Sequence, residues 1–284
     1  MISCFNIGLS VFFSFVIVSL NAQLLWKISG NGLSQNSYLY GTIHVMPKDK
    51  FSISSKINES INASSMMAME VDLNMDLKTK IQMAQEMILP GGKTIRDYMT
   101  AGDFQKLHSF CVDSLKLTKR KLKKYYRLKP FFFSSYIALE EMGETSSYEM
   151  EFMKIAKKRK MSIISLESIK FQLQTINKVS IEDQVKMLVQ EFDANPTAQF
   201  DQMLNLYLNE DLEGLYNVVS EESDAIPEFN YNFLVVRNKN WIPVIEKNIS
   251  SNSFFIAVGA AHLPGENGVI QLLRSKGYSV EPVN

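Results

Sequence analysis

Two of the three histidines in this 284-residue chain stand three places after a glycine, in Gly41-Thr42-Ile43-His44 and Gly259-Ala260-Ala261-His262. Imidazole titrates near neutral pH and is a borderline metal ligand, so a matched pair can move a proton or hold an ion. Each motif follows an apolar run, Ser37-Tyr38-Leu39-Tyr40 in one case and Phe254 to Val258 in the other. Two glutamates share that setting: Glu70 follows Met66-Met67-Ala68-Met69, and Glu167 follows Ser162-Ile163-Ile164-Ser165-Leu166. If these runs are parallel strands of one sheet, their carboxyl ends share an edge, and open α/β sheets bind ligands there. His44, His262 and Glu70 would then suit a divalent transition ion, with positions left open for water. Such an ion lowers the pKa of its bound water to about 7 and polarises a carbonyl. Glu167 or Asp72 would assist proton transfer, since a carboxylate beyond the metal's ligands can carry the proton. Arg237 can steady developing negative charge or hold a substrate carboxylate. Asp72 points the same way as Glu70 if the strand stays extended, which makes it a candidate on the substrate side.

The elements that must position these groups are partly legible. Phe254 to Val258 is an apolar run without polar alternation, the pattern of a strand buried on both faces. Leu24 to Ile28 and Ser37 to Tyr40, separated by Ser29-Gly30-Asn31-Gly32, predict a hairpin. Ile53, Ile57 and Ile61 recur at helical spacing, and with the strand after them they predict a βαβ unit of parallel strands whose carboxyl ends share one edge. From about 77 to 236 the pattern is mostly helical, broken near Ile163 by a short strand that follows a helix over 148–159. Val269, Leu272 and Leu273 line a helix, Gly277 stops it, and Tyr278 to Pro282 is a closing strand. The expected fold class is α/β: a mixed central sheet with βαβ units at both ends and a large helical insertion covering one edge. The glycine of each Gly-x-x-His is expected to serve the backbone angles of a sharp exit from the sheet.

Bulk properties narrow the field. With 46% hydrophobic residues the chain can bury a sizeable core, and 30 basic residues against 30 acidic ones give no global pull toward nucleic acid. Residues 1–22 contain no charged side chain and are apolar from Ile7 to Leu20, the length of a secretory leader and short of a comfortable membrane span. The expected organisation is a signal peptide over 1–22 and a single domain over 23–284, exported to the periplasm or the cell exterior. Residues 116–129 are strongly basic, with Tyr125 and Tyr126 among them, which suits contact with a membrane surface.

Six stretches carry a family resemblance: Leu24-Leu25-Trp26-Lys27-Ile28, Ser37 to His44, Leu128-Lys129-Pro130, Ser165-Leu166-Glu167, Arg237-Asn238-x-x-Trp241, and Val258 to Gly265 with the helix and strand after it. Together they resemble the TraB/GumN family, which includes GumN-like bacterial proteins, TraB pheromone-shutdown proteins and the animal Tiki metalloproteases. The resemblance implies metal-dependent cleavage of peptide bonds, with His44, His262 and Glu70 in the matching positions. Mn, Co or Zn would be the ion, and a peptide or small molecule the substrate. Haem-binding relatives in the wider superfamily give the alternative, a non-catalytic haem-, iron- or peptide-binding protein of the same fold. The chain departs from the family at Tyr148-Glu149, where a Leu-Asp pair is expected.

Overall fold

The computed structural model describes residues 23–193, 196–223 and 227–283. The leader read over 1–22 lies outside the described residues. Along the chain the strands are β1 (Leu25–Gly30), β2 (Ser37–Thr42), β3 (Met46–Pro47), β4 (Met66–Met69), β5 (Thr145–Ser146), β6 (Ser162–Ser165), β7 (Phe254–Gly259) and β8 (Tyr278–Pro282). Six of them form one sheet in the order β6-β4-β7-β2-β1-β8, while β3 and β5 pair separately. The neighbours β6, β4, β7 and β2 run parallel; β1 is antiparallel to both β2 and β8. The protein is therefore α/β with a mixed sheet, and the hairpin of β1 with β2 forms as its turn residues predict.

The central place of β7 follows from its composition. All six of its residues are buried, so it needs cover on both faces and a neighbour on each side. It takes β2 on one side and β4 on the other, with Thr42 opposite Gly259 and Met69 opposite Ala257. β2 and β4 are parallel, as the βαβ reading expects, with β7 between them. The helix Ser55–Asn62 does return the chain parallel to β2, with Ile57 and Ile61 buried, but β7 fills the gap between. One face of the sheet is covered by the helix Tyr148–Arg159, capped by Ser147, whose Phe152 ring lies 5.1 Å from that of Phe255.

The region between 77 and 236 is more than a cap. Its middle contributes the helix Tyr148–Arg159 and β6 to the sheet's own layers, while β5 pairs with β3 outside it. The helices over 101–142 and 169–193 build a second core around Leu89, Ile95, Leu107, Phe133 and Leu188, while Leu204, Tyr207, Leu212 and Leu215 join the sheet's own core. A helix over Leu212–Ser223, within the stretch read as mostly helical, packs against the turn after β7. Among the described residues, no helix is long and apolar enough to cross a membrane.

Because Phe255 is fully buried at the centre of the sheet, Phe255→Ala is expected to cost about 3–5 kcal/mol. A urea titration should show a lower midpoint with an unchanged slope.

Candidate functional site

The four titratable residues singled out in the sequence meet at one edge. Glu70 directly follows β4, His44 and Glu167 lie two residues beyond β2 and β6, and His262 lies three beyond β7. Those strands are consecutive in the sheet and parallel, so their carboxyl ends coincide. Gly259 marks the centre of the group. A Cβ placed there would sit 3.3 Å from Glu70 Oε1, 3.5 Å from His262 Cδ2 and 3.6 Å from His44 Nε2. The two motif glycines serve space rather than unusual backbone angles, since neither Gly41 nor Gly259 has a positive φ. A Cβ on Gly41 would come within 3.0 Å of Ala260 Cα, so only hydrogen lets β2 lie against the turn that carries His262.

Arg237 holds the centre together. It opens the helix Arg237–Ile249, and a wide π-type turn over Tyr231–Val236 precedes it. Its Nη2 donates to Glu70 Oε2 and, at 2.7 Å, to Glu167 Oε1. Nε donates to Glu167 at 2.9 Å, and Nη1 donates to Phe233 O at 3.2 Å and to His262 Nε2 at 3.0 Å. A guanidinium has five N–H groups, and here each has a partner within the protein. Arg237 therefore has no donor left over for a substrate carboxylate in this conformation. Glu167 accepts from Trp241 Nε1 as well, at 3.0 Å, so its oxygens are spoken for. Gly259 N–H donates to Glu70 Oε1 at 2.7 Å and Gln172 Nε2 to Glu70 Oε2 at 3.3 Å.

The two imidazoles are anchored differently. Arg237 can only donate, so His262 Nε2 must accept, and the His262 proton sits on Nδ1 facing Asn238 Oδ1 at 2.6 Å. Asn238 Nδ2 donates to the His262 and Asn267 carbonyls, which fixes the orientation of its amide. Burial, with Arg237 beside it, outweighs the pull of Glu70 and pushes the His262 pKa down to about 3. His44 instead offers Nδ1 to Glu149 Oε1 at 3.0 Å. Its ring is crowded by protein on one side yet reaches solvent, with 64% of the side-chain surface accessible. The crowding lowers its pKa, but the bond to Glu149 and the charge of Glu70 overcome this and raise it to about 9. For Glu70, burial raises the pKa while His262, Arg237 and His44 pull it down to about 2. With His262 neutral at pH 7, Arg237 and His44 are the cations that keep Glu70 ionised. Burial raises the Glu167 pKa more than Arg237 lowers it.

Glu149 is the residue that reading the sequence for chemistry missed. It lies in the first turn of the helix Tyr148–Arg159, at the place where the chain departs from the Leu-Asp pair. Thr42 Oγ1 donates to its Oε1 and Ser147 Oγ to its Oε2, both at 2.8 Å. In sequence it cannot be told from an acid that merely complements a helix dipole. Asn238 and Gln172 gave no signal of their own. Asp72 is turned away: β4 ends at Met69, so the alternation that would align it with Glu70 stops. It is exposed, and its Oδ1 closes a turn onto Asn74 N–H at 2.7 Å.

The chain can now be placed. The model of the TraB/PrgY/gumN family matches residues 24–282. The chain belongs to the TraB/PrgY/gumN family. No curated protein and no solved structure matches it.

Among the described residues no group of three His, Cys, Asp or Glu side chains forms a ready-made metal cluster. The donor chemistry nevertheless fits a divalent cation. Both imidazoles bind an acceptor through Nδ1, as metal-bound histidines do, so Nε2 is the ligand atom of each; it is open on His44, while on His262 a metal would have to displace the Arg237 N–H that Nε2 accepts. Around the Gly259 cradle, three carboxylates (Glu70, Glu149 and Glu167) face one guanidinium and one titratable imidazole, an excess of negative charge.

Two outcomes follow. Glu149→Gln should lower the His44 pKa from about 9, read as an NMR titration of the His44 ring. The His44–Glu149 pair adds stability that is fully present below about pH 6.5 and lost as pH rises through about 9, and the variant should lack that alkaline loss. Arg237→Met leaves two buried carboxylates uncompensated, so it should cost about 3–5 kcal/mol in a urea titration.

Proposed function

We propose that this family member is an exported, metal-dependent hydrolase acting on an acyl bond, most simply a peptide bond. One observation carries the proposal. The two Gly-x-x-His imidazoles are anchored through Nδ1 by different partners, Glu149 and Asn238, and both approach Gly259, where Glu70 Oε1 joins them. His44 Nε2, His262 Nε2 and Glu70 would hold Mn, Co or Zn. The ion would supply a water of lowered pKa and would polarise the scissile carbonyl.

The chain's own residues have separable tasks. Glu149 accepts the Nδ1 proton of His44 and so leaves Nε2 as its open nitrogen. Asn238 does the same for His262. Glu167 and Trp241 hold the Arg237 guanidinium, which lies 4.9 Å over the Trp241 ring. Arg237 supplies a fixed positive charge beside the place where an oxyanion would develop. His44 is the exposed member of the pair, with 64% of its side-chain surface accessible, so a substrate would approach the ion from its side. Export is supported by the apolar leader over residues 7–20.

Metal content of the purified wild type tests this directly. His44→Ala and His262→Ala should each lose bound metal and the ability to cleave a peptide library. Metal content equal to wild type in both variants would sink the proposal, and a Soret band on adding haem would favour the binding protein instead.

A further inference from the structure

The surface charge far along the insertion is strongly uneven. Residues 93–129 hold eleven of the chain's 30 lysines and arginines against three acidic residues, Asp97, Asp103 and Asp113. Three of the eleven are paired: Lys106 with Asp193, Lys121 with Glu140 and Lys129 with Glu86. The other eight are exposed. Among the described residues none of those eight has an ion pair; Lys119, Arg120, Lys123, Lys124 and Arg127 are five of them.

Packing explains why these charges face outward together. The helix Lys119–Tyr125 is capped by Thr118 and buries Leu122 and Tyr125 in the insertion's core, so its charged positions are left for solvent. The main chain then adds neighbours. Ile95 N–H donates to Tyr126 O at 2.7 Å, which brings in Lys93 and Arg96. Leu89 N–H donates to Arg127 O at 2.8 Å and Lys129 N–H to Met87 O at 2.9 Å, which joins the end of the helix Leu77–Glu86. That helix has no buried residue. Its Leu77 is 75% exposed and its Ile81 51%, four places apart and so on one face, with Lys78 and Lys80 exposed beside them.

A soluble polyanion would call only for the cations. Exposed leucine and isoleucine joined to a basic helix suit a surface that is anionic at its boundary and apolar beneath. We propose that this face binds an anionic lipid bilayer, with the basic helix on the headgroups and Leu77 and Ile81 entering the interface. The proposal is independent of the hydrolytic site.

Vesicle sedimentation decides it. The purified chain should pellet with phosphatidylcholine vesicles containing about one-third phosphatidylglycerol but not with phosphatidylcholine alone, and added salt should release it. The variant Lys119→Glu/Arg120→Glu/Lys123→Glu should bind the anionic vesicles at least about tenfold more weakly. These positions are exposed, and carboxylates at 119 and 120 suit the first helical turn, so the variant keeps its fold. Leu77→Ser/Ile81→Ser should weaken vesicle binding while leaving retention on heparin unchanged. Failure to pellet with anionic vesicles, or unchanged affinity in either variant, would overturn the proposal. Heparin retention without vesicle binding would overturn it in favour of an acidic polysaccharide.

Discussion

Arg237 is 2% exposed, and a charge that deep is tolerable only when partners surround it. Glu70 comes from the end of β4, Glu167 from the end of β6 and His262 from the turn after β7, and all three converge on one guanidinium. The ion-pair cluster thus fixes the relative positions of three strand ends and of the helix Arg237–Ile249. Its price is desolvation of two carboxylates, offset by five directed N–H bonds, the Gly259 amide and the ring of Trp241 beneath. Loosening any one partner leaves charge stranded in the interior, so the geometry of the rim is held by electrostatics as much as by packing.

Around that fixed cluster the two imidazoles are tuned apart. His262 is buried, binds a neutral amide and stays unprotonated; His44 reaches solvent, binds a carboxylate and holds its proton into the alkaline range. Two groups of one type thus take different roles because their environments differ. The glycines set the distances. Hydrogen at Gly41 lets β2 approach Ala260, and hydrogen at Gly259 leaves room among Glu70, His262 and His44.

Much of this was visible in the sequence because strands that are buried on both faces announce themselves as unbroken apolar runs. Phe254 to Val258 placed β7, and the polar residues just after each run placed His44, Glu70, Glu167 and His262 at strand ends. Strand order was less visible. Nothing local says that a strand from near residue 255 enters between two from the first 70 residues. Glu149 was hidden for a related reason: its partner lies 105 positions away, and near it in sequence there is only a helix start. Asp72 shows the opposite error, since an alternation rule holds only as far as the strand does, and β4 stops at Met69.

The most direct test is a crystal structure of the purified chain grown with Mn, Co or Zn, with anomalous data collected at the metal's absorption edge. A peak beside Gly259, about 2 Å from the Nε2 atoms of both His44 and His262, is expected. No peak there, with Arg237 Nη1 still donating to His262 Nε2, would contradict a metal-dependent site.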